Sequence, residues 1–409
     1  MDGFEVLKER GFISQCSNET ALKKQLNSEK TTFYVGFDPT GRSLHVGHLV
    51  PMFAMAHLQR AGHRAIALVG GGTARIGDPS GKTETRRILP IETIKENAAR
   101  FRKQISRFIT LDNSSGIMED NAGWLADLNY IDFLRDIGRH FSVNRMLSFE
   151  TYKMRLEKGL SFIEFNYQIL QSYDYLTLFR KYGCMLQMGG DDQWGNIVAG
   201  IELIRRVEGK EVFALTSPLV TRSDGKKMGK TEKGALFLDP EMVSPYEFYQ
   251  YWINIPDADV EKLLKLFTFI PLKKIKELSS LKDREINRAK EVLAFELTST
   301  VHGREEAERA KSASRAAFGK EENTGLTGIP SGEIKEESLK AGINVIDLFS
   351  GTSLCASKSE ARRLVTQGGA YINGVKVDSI DTMVDLSYAS KGEILLRAGK
   401  KRYFRVIMK

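Results

Sequence analysis

Residues 31–62 read TTFYVGFDPTGRSLHVGHLVPMFAMAHLQRAG and change their pattern halfway. The first eight are mostly aromatic or β-branched, which is typical of a buried strand. From residue 44 onward the apolar residues recur at helical spacing, and a glycine closes the pattern. Residues 65–72 form a second apolar run that ends in glycines, and residues 183–207 repeat strand, polar turn and amphipathic helix. Strands that alternate with helices predict a parallel, doubly wound sheet.

Polar clusters interrupt this pattern at residues 36–48, 77–86 and 189–196. Each cluster falls where a predicted strand ends. Parallel sheets bind ligands beyond the carboxyl ends of their strands. We therefore expect an α/β, Rossmann-like sheet with a ligand site built from these three turns.

The rest of the chain divides by composition. Residues 90–165 are mostly helical and charged, so we expect an insertion there rather than sheet. A helix is expected over 166–183, and only helices from 245 to 318. The predicted boundaries are a catalytic domain over 1–225, a signature loop and helical domain over 226–318, a polar linker over 319–342, and a small α+β domain over 343–409.

Composition limits the class of protein. Apolar residues make up 42% and charged residues 27% of 409 residues, as in soluble globular proteins. No apolar run suits a signal peptide or a membrane span, which favours a cytoplasmic protein. Three well-separated cysteines, without a C-x-x-C pair, argue against a disulfide framework or zinc site.

Positive charge is concentrated near the carboxyl end. The formal net charge is +8, and residues 344–409 carry eleven Lys and Arg against six Asp and Glu. Such a domain suits a polyanionic partner, although charge alone leaves a merely soluble basic surface equally open.

His45 and His48 stand three residues apart at the predicted helix start. Two histidines without a third ligand make a poor metal site, so no metal ligands are assigned. Backbone N–H groups at a helix start attract phosphate, and imidazoles add donors. Gly47 would let a flat base approach the backbone, and Pro51 is expected to kink the helix.

The stretch SDGKKMGKTEKG, residues 223–234, has four lysines and no apolar run. A lysine on a flexible stem binds phosphate as a point charge. Lys227 and Lys230 could therefore close over a pyrophosphate leaving group, whereas the same loop taken alone would be only a solvated loop.

Taken together, HVGH (45–48) and KMGKT (227–231) resemble the HIGH and KMSKS signatures of class I aminoacyl-tRNA synthetases. The stretches FDPTGRSLHVGH, GDPSGKTETR, NYQILQSYD and LQMGGDDQWGN, with the carboxyl-terminal module, are similar to the bacterial tyrosyl-tRNA synthetase family. This resemblance covers nearly the whole chain. It implies tyrosine activation by ATP with Mg²⁺, transfer to tRNA(Tyr), a homodimer with contacts in 90–165, and no tightly bound cofactor.

The resemblance also implies roles for individual residues. Tyr34 and Asp174 would hold the substrate hydroxyl, and Asp78, Tyr167 and Gln171 the ammonium group. The implied tyrosine-binding residues are Tyr34, Asp78, Tyr167, Gln171, Asp174, Gln187 and Gln193. The implied ATP-binding residues are Gly36, Asp38, His45, Gly47, His48, Gly190, Asp192, Lys227, Met228 and Lys230. The implied catalytic residues are Thr40, His45, His48, Lys82, Arg86, Lys227 and Lys230.

The expected reaction is an in-line attack of the tyrosine carboxylate on the α-phosphorus of ATP. This nucleophile is already ionised, so positioning and charge stabilisation of pyrophosphate suffice.

The segment SKSEARRLVTQGGAYINGVKV resembles a ribosomal-protein-like (S-four type) RNA-binding module. Arg362 and Arg363 on its helix would contact RNA, beside a hairpin that turns at Asn-Gly.

Two positions depart from the common family forms. KMGKT has glycine where serine is usual, and Asp191 stands where a small polar residue is frequent; the role of Asp191 is left open.

One alternative function is that of a tryptophan–tRNA ligase, against which Tyr34, Asp174 and the RNA module argue. A non-catalytic RNA-binding factor on the same scaffold is the other. An NAD-type oxidoreductase is disfavoured because no G-x-G-x-x-G follows a strand at the right place.

Overall fold

The computed structural model describes residues 2–80, 89–225, 228–231, 234–318, 329–390, 392–399 and 402–409. The chain forms two compact units: Met1–Met242 with Pro256–Ala289, and Val243–Ile255 with Lys290–Lys409. Residues 256–289 therefore belong to the first unit, whereas the sequence grouped them with the helical domain. The functional domain boundaries stay a prediction.

The secondary structure alternates helices and strands as far as β6. The strands are β1 (Gln15–Cys16), β2 (Thr32–Phe37), β3 (Arg64–Val69), β4 (Gly116–Asp120), β5 (Cys184–Gly190), β6 (Phe213–Ser217), β7 (Lys230–Thr231), β8 (Gly234–Ala235), β9 (Ser331–Ile334), β10 (Ile343–Asn344), β11 (Ala370–Ile372), β12 (Val375–Lys376), β13 (Met383–Val384), β14 (Glu393–Ala398) and β15 (Arg402–Met408). The α-helices are α1 (Gly3–Arg10), α2 (Glu19–Ser28), α3 (Leu49–Arg60), α4 (Ile91–Ile105), α5 (Ala122–Leu125), α6 (Tyr130–Asp136), α7 (Val143–Ser148), α8 (Glu150–Lys158), α9 (Phe162–Tyr182), α10 (Trp194–Glu208), α11 (Pro245–Ile253), α12 (Val260–Phe267), α13 (Leu272–Ser279), α14 (Ile286–His302), α15 (Arg304–Phe318), α16 (Glu336–Lys340), α17 (Val345–Ser350) and α18 (Lys358–Thr366). Among the described residues, none of these helices has the length and apolar content that a membrane crossing requires.

The main sheet has the strand order β1-β6-β5-β2-β3-β4. All neighbouring strands run parallel except the β1–β6 pair at one edge. The predicted parallel, doubly wound sheet is therefore confirmed. The chain goes from β2 to β3 on one side and later places β5 on the other side of β2. The carboxyl ends of β2 and β5 thus form the topological switch point where such sheets bind ligands.

The prediction that residues 90–165 contribute no sheet was wrong. Gly116–Asp120 form β4, which pairs in parallel with β3 from Ala65 to Val69. β4 lies at the edge of the sheet, and only its first two residues, Gly116 and Ile117, are buried. Such a strand needs few apolar residues, so its sequence GIMED carries no strand pattern.

Two helices position the site. α9 begins at a capping box between Ser161 and Glu164, four residues before the predicted start, and ends at Gly183 with φ = +60°. α3 begins at Leu49 directly after a 3-10 helix over Val46–His48. Pro51 lies in the first turn of α3, where backbone N–H groups have no partner within the helix. The proline therefore removes no hydrogen bond from α3, contrary to the prediction, and α3 is continuous to Arg60; the kink itself stays a prediction.

The second unit contains a five-stranded sheet with the order β12-β11-β14-β15-β9. The predicted Asn-Gly hairpin joins β11 to β12, with φ = 49° at Asn373 and 83° at Gly374. The predicted linker holds regular structure, because β9 pairs in parallel with β15 and α16 follows it. Its residues 319–328 lie outside the described residues. From 245 to 318 the structure is helical, as predicted.

Candidate active site

A buried tyrosine lies in the middle of a central strand of the sheet. Tyr34 on β2 is 1% exposed, and its ring packs against Tyr175 with centroids 5.3 Å apart. Its hydroxyl has no hydrogen-bond partner among the described residues. Burial, followed by the negative charge of Asp174, raises the pKa of Tyr34 well above 10. The hydroxyl is therefore a neutral group with unused hydrogen-bonding capacity.

Asp174 on α9 is held by two donors from beyond β4. Its Oδ2 accepts a hydrogen bond of 2.9 Å from Asn121 Nδ2, and its Oδ1 accepts one of 2.7 Å from Trp124 Nε1. Asp174 is 2% exposed, and burial raises its pKa to about 8 although both hydrogen bonds act in the opposite direction. Each oxygen keeps lone pairs beyond these bonds, so the carboxyl group can accept a further donor.

A chain of hydrogen bonds runs from Asp174 to the other end of the pocket. Asn121 Nδ2 also donates to Thr73 Oγ1 at 3.0 Å. Thr73 in turn donates to Asp38 Oδ1 at 2.7 Å, and Tyr167 donates to Asp38 Oδ2 at 2.8 Å. These side chains follow three parallel strands or lie on α9, so the sheet brings them together.

Glycine is required directly after β3, where the backbone lies against this chain of hydrogen bonds. A Cβ on Gly70 would lie 1.8 Å from Asp38 Oδ1. Gly72 donates its N–H to Asn121 Oδ1 at 2.7 Å, which fixes the asparagine amide with its NH₂ group toward Asp174 and Thr73. The backbone after β3 thus orients the network.

A second polar cluster surrounds Asp78. Gln193 Nε2 donates to Asp78 Oδ2 at 2.8 Å. Asn196 Nδ2 lies 3.1 Å from Gln171 Oε1 and 3.3 Å from Gln193 Oε1. The structure therefore brings together Asp78, Gln171 and Gln193, as the resemblance implies. This cluster offers acceptor oxygens suited to an ammonium group.

Gln187 extends the pocket along the sheet. It lies on β5 directly beside Tyr34 in the strand register and is 3% exposed. Its Oε1 has no hydrogen-bond partner among the described residues. Two buried polar atoms, on Tyr34 and Gln187, are thus left unsatisfied side by side, which native proteins rarely accept without a ligand.

The first histidine signature caps its own helix. His45 Nδ1 accepts the Gly47 N–H at 3.0 Å, and His48 Nδ1 accepts the His45 N–H at 3.1 Å. With Nδ1 as acceptor, the His45 ring carries its proton on Nε2, whereas His48 Nδ1 lies within reach of both the N–H and the carbonyl oxygen of His45, the latter at 3.3 Å. The rings lie 4.1 Å apart, and a Cβ on Gly47 would lie 2.8 Å from His45 Cε1. Two N–H donors at a helix start suit an anionic ligand.

The second signature packs against the first. Gly229 has φ = +76°, and a Cβ there would lie 2.8 Å from Val46 Cβ. The Leu236 N–H donates to Gly229 O at 2.7 Å, and the Val46 N–H donates to Leu236 O at 3.0 Å. The glycine of KMGKT is therefore explained, because a serine in this backbone conformation would be strained and would collide with Val46.

Several sequence-assigned cations lie beyond what the structure describes. Lys82, Arg86 and Lys227 fall outside the described residues, and for Lys230 only the backbone, in β7, is described. The neighbouring Met228 is placed by its N–H, which donates to Val220 O at 3.3 Å.

The remaining assigned residues of the ATP side lie at the same edge of the sheet. Gly36 is an exposed residue within β2, and nothing lies within 4 Å of a Cβ placed on it. The Thr40 N–H donates to Asp38 O at 2.8 Å. A Cβ on Gly190 would lie 2.6 Å from Asp192 Oδ1, and burial raises the pKa of Asp192. Bare backbone at Gly36 leaves room for a flat ligand, whereas at Gly190 the absent side chain makes room for the Asp192 carboxylate.

Arg362 and Arg363 belong to the second unit. Both are exposed on α18, whose first turn is capped by Ser357. Lys376 of the hairpin lies beside the end of this helix, because its Cε would be 2.7 Å from a Cβ on Gly368. The helix and the hairpin thus carry positive charge close together.

Sequence reasoning missed Thr73, Asn121, Trp124 and Asn196. Asn121 and Trp124 follow β4, which the sequence did not reveal. Thr73 follows the three glycines after β3, and that glycine run was the available signal. Asn196 lies one turn beyond Gln193 on α10, so only its distances to Gln171 and Ser80 identify it.

Comparisons with protein families cover most of the chain. The family model "tRNA synthetases class I (W and Y)" matches residues 26–319. The model "Tyrosine--tRNA ligase SYY-like C-terminal domain" matches residues 321–406.

Individual relatives match over their whole length. The tyrosine--tRNA ligase of Acetivibrio thermocellus is 57% identical over 403 residues, covering 98% of both chains. That of Caldanaerobacter subterraneus is 54% identical over 409 residues, covering both chains fully. A solved C-terminally truncated mitochondrial tyrosyl-tRNA synthetase from Aspergillus nidulans has 29% identity and a TM-score of 0.70, covering 78% of this chain and 94% of that one. The L-tyrosine complex of the Archaeoglobus fulgidus enzyme, at 18% identity and a TM-score of 0.58 over 76% of this chain and 100% of that one, shares the fold.

Proposed function

The chain belongs to the class I tRNA synthetases for tryptophan and tyrosine, and from this premise we propose which of its residues select tyrosine and which hold ATP. It is a tyrosine–tRNA ligase. It joins tyrosine to ATP as tyrosyl-AMP with release of pyrophosphate, and it then transfers tyrosine to the 3′ end of tRNA(Tyr).

The unsatisfied hydroxyl of Tyr34 beside the carboxyl group of Asp174 carries the assignment of the pocket. A substrate phenol can donate to Asp174 and pair with Tyr34 at the same time. Phenylalanine would leave the buried Tyr34 hydroxyl unpaired and would give Asp174 no further donor, which is costly. Tyrosine enzymes are the established example of rejecting phenylalanine in this way. An indole would offer no hydroxyl to this end of the pocket.

The opposite end of the pocket receives the reacting groups. Asp78, Tyr167 and Gln171 bind the ammonium group, and Gln187 and Gln193 complete the site. The hydrogen bond from Tyr167 to Asp38 places that carboxylate where it orients the activated amino acid. Positioning of this kind contributes strongly to catalysis when the nucleophile is already ionised.

ATP lies along the switch point in this proposal. The Nε2–H group of His45 and the imidazole of His48 contact phosphate oxygens, and Gly36 and Gly47 give the nucleotide access to the backbone. Asp192 and Gly190 bind the ribose. The positive charges of Lys82, Arg86, Lys227 and Lys230 stabilise the leaving pyrophosphate. The Thr40 hydroxyl donates a hydrogen bond to the same group.

Mg²⁺ enters this reaction with ATP, whose phosphate oxygens are ligands that it prefers. No tightly bound cofactor takes part, and the reaction is placed in the cytoplasm, where ATP and tRNA are both available.

An exchange assay tests the substrate assignment. The purified protein should catalyse ATP–pyrophosphate exchange with tyrosine and not with tryptophan or phenylalanine. Exchange that depends on tryptophan would overturn the assignment, and no exchange with any amino acid would favour a non-catalytic RNA-binding factor.

Tyr34→Phe should lower the preference for tyrosine over phenylalanine, measured as the ratio of kcat/KM values. An unchanged ratio would remove Tyr34 from the pocket.

We assign the dimer contacts to the inserted region 90–165. Large apolar side chains that are more than half exposed concentrate there: Tyr130, Ile131, Val143, Met154, Leu156 and Phe162. Patches of this kind mark interfaces, and a second copy is the simplest partner. Sedimentation should show a dimer that Phe162→Glu dissociates, whereas Val375→Glu, at an exposed apolar residue of the second unit, should leave it intact. A monomeric parent protein would contradict the assignment.

The second unit binds tRNA in this proposal through Arg362 and Arg363. A basic helix beside a hairpin reads the phosphates and the shape of structured RNA. Reversing both charges should weaken tRNA binding and lower its salt dependence while exchange with tyrosine stays unchanged. The same charge reversal at the exposed Lys335 and Lys340 controls for net charge. Equal losses in both double variants would deny the two arginines a specific role.

A further inference from the structure

Asp191 is the residue of the GGDDQ turn that departs from the usual family form, and its carboxylate accepts three side-chain hydrogen bonds. Ser14 Oγ donates to Oδ2 at 2.6 Å, and Thr216 Oγ1 donates to Oδ1 at 2.6 Å. Gln15 Nε2 also donates to Oδ1, at 3.2 Å. Two of the three donors belong to the amino-terminal segment, which contributes no residue to the site described above.

The segment that supplies these donors is held on the sheet. Gln15 and Cys16 form β1, which pairs antiparallel with Thr216 and Leu215 of β6. The Ser14 N–H donates to Thr216 O at 2.8 Å, and the Ser17 N–H donates to Ala214 O at 3.0 Å. The backbone of residues 14–17 is thus anchored, so its side chains present donors at defined positions.

Asp191 begins the 3-10 helix that carries the next two site residues. This helix spans Asp191–Gln193 between β5 and α10. Gln193 is bonded to Asp78 at 2.8 Å, and its amide also lies 3.3 Å from Asp192 Oδ2. The turn is therefore held on two sides: by Asp191 against β1 and β6, and by Gln193 against the tyrosine pocket.

We propose that Asp191 is a positioning residue for the ribose side of the ATP site, acting through the hydrogen bonds that join it to Ser14, Gln15 and Thr216. This inference rests on the proposed ribose role of Asp192 and Gly190. Since Gly190 and Asp192 flank Asp191 directly, losing its tether frees the backbone that sets both contacts. The tyrosine pocket is less affected, because Gln193 keeps its own bond to Asp78.

The test compares ATP with 2′-deoxyATP in tyrosine-dependent exchange. The parent protein should prefer ATP. Asp191→Ala should raise KM for ATP by about tenfold and shrink the preference over 2′-deoxyATP, with KM for tyrosine changed by less than about twofold. Ser14→Ala should show the same effect more weakly. Ser14 is exposed, so we expect this change to leave folding intact. The double variant should be less than additive, because both changes break one contact.

Glu211→Ala is the matched control. Glu211 also accepts a hydrogen bond from the amino-terminal segment, from Asn18 at 3.2 Å, but it lies before β6 and not in the turn. Glu211→Ala should change neither KM for ATP nor the preference for ATP over 2′-deoxyATP. If Asp191→Ala and Ser14→Ala leave KM for ATP and the 2′-deoxyATP ratio unchanged, the positioning role is overturned even where thermal stability falls. A parent protein that uses both nucleotides equally would instead remove the ribose role of Asp192, and the inference with it.

Discussion

The proposed tyrosine pocket and the proposed ATP side lie at the ends of the same strands, but they are built by different means. The pocket consists of buried side chains, with Tyr34 and Asp174 almost completely excluded from solvent. The ATP side depends on backbone conformation: a self-capping HVGH turn, and a left-handed glycine that packs on Val46. In the proposed function, the first region selects its ligand by hydrogen-bonding capacity, and the second by the shape of the backbone.

The difference has a physical cause. Telling tyrosine from phenylalanine depends on one hydroxyl, and only buried, unsatisfied polar groups make its absence costly. Phosphates carry charge on many oxygens, and N–H donors at a helix start bind them without burial of a charged side chain. Substitutions should therefore affect the pocket through lost partners and the ATP side through backbone strain.

The largest effect is expected from Asp174→Ala. It removes the acceptor for the substrate hydroxyl and also leaves the Asn121 and Trp124 donors unpaired. We expect kcat/KM for tyrosine to fall by at least about a hundredfold, measured by pyrophosphate exchange. Affinity for ATP alone should stay within about twofold. A loss below about tenfold in kcat/KM would mean that the buried polar end does not select the substrate.

Two glycines of the lysine loop test the backbone side. Gly229 and Gly225 both have left-handed φ values, +76° and +78°, but only Gly229 would bring a Cβ against Val46; at Gly225 nothing lies within 4 Å. Alanine strains the backbone at either site and adds a collision only at 229. We expect KM for ATP to rise by about tenfold in Gly229→Ala and by about threefold or less in Gly225→Ala. Equal effects would mean that packing on Val46 is unimportant.

A smaller effect concerns the pH dependence of tyrosine use. Burial sets the pKa of Asp174 near 8, and the Trp124 N–H bond favours its ionised form. Loss of that bond in Trp124→Phe should raise this pKa further. The rise of kcat/KM for tyrosine with pH should then shift to higher pH than in the parent protein. The substrate titrates identically in both profiles, so superimposable curves would show that Asp174 does not control the reaction.

The smallest effect on activity is expected at His57, which lies inside the core on α3, the helix that follows the signature histidines. It packs against Phe12 and Phe269, and burial lowers its pKa to about 3. Below pH 6.5 the unfolded chain binds a proton that the folded chain excludes, so stability is lost as the pH falls toward 3. The loss between pH 7 and 5 should be about 2 kcal/mol. Denaturant unfolding of His57→Leu should show a flatter dependence on pH, and parallel dependences would refute the assignment.

The resemblance to the family located much of the site, and local sequence patterns place those residues on their elements. Tyr34 lies within a strand that its own residues predict, Asp38 follows that strand, and HVGH stands at a predicted helix start. Tyr167, Gln171 and Asp174 share one side of a helix because of their spacing. Such features depend on neighbours within one or two turns of the chain, so sequence reveals them.

Other parts depend on residues far away in the chain. Asn121 and Trp124 reach Asp174 only because β4 adds to the edge of the sheet, and an edge strand needs too few apolar residues to be recognised. Residues 331–340 have the composition of a linker, and they form regular structure only because β9 pairs with β15.

By itself the sequence determined the parallel sheet, the helix that carries Tyr167 and Asp174, and the Asn-Gly hairpin, because each is encoded by local periodicity or turn chemistry; the two signatures followed from the resemblance to the family. The tertiary structure alone decided that Pro51 lies in the first turn of a helix, that Gly229 meets Val46, and that Asp191 is bonded to the amino-terminal segment. The physical reason is the same in each case: a hydrogen bond or a steric contact between distant residues exists only after the sheet has brought its strand ends together.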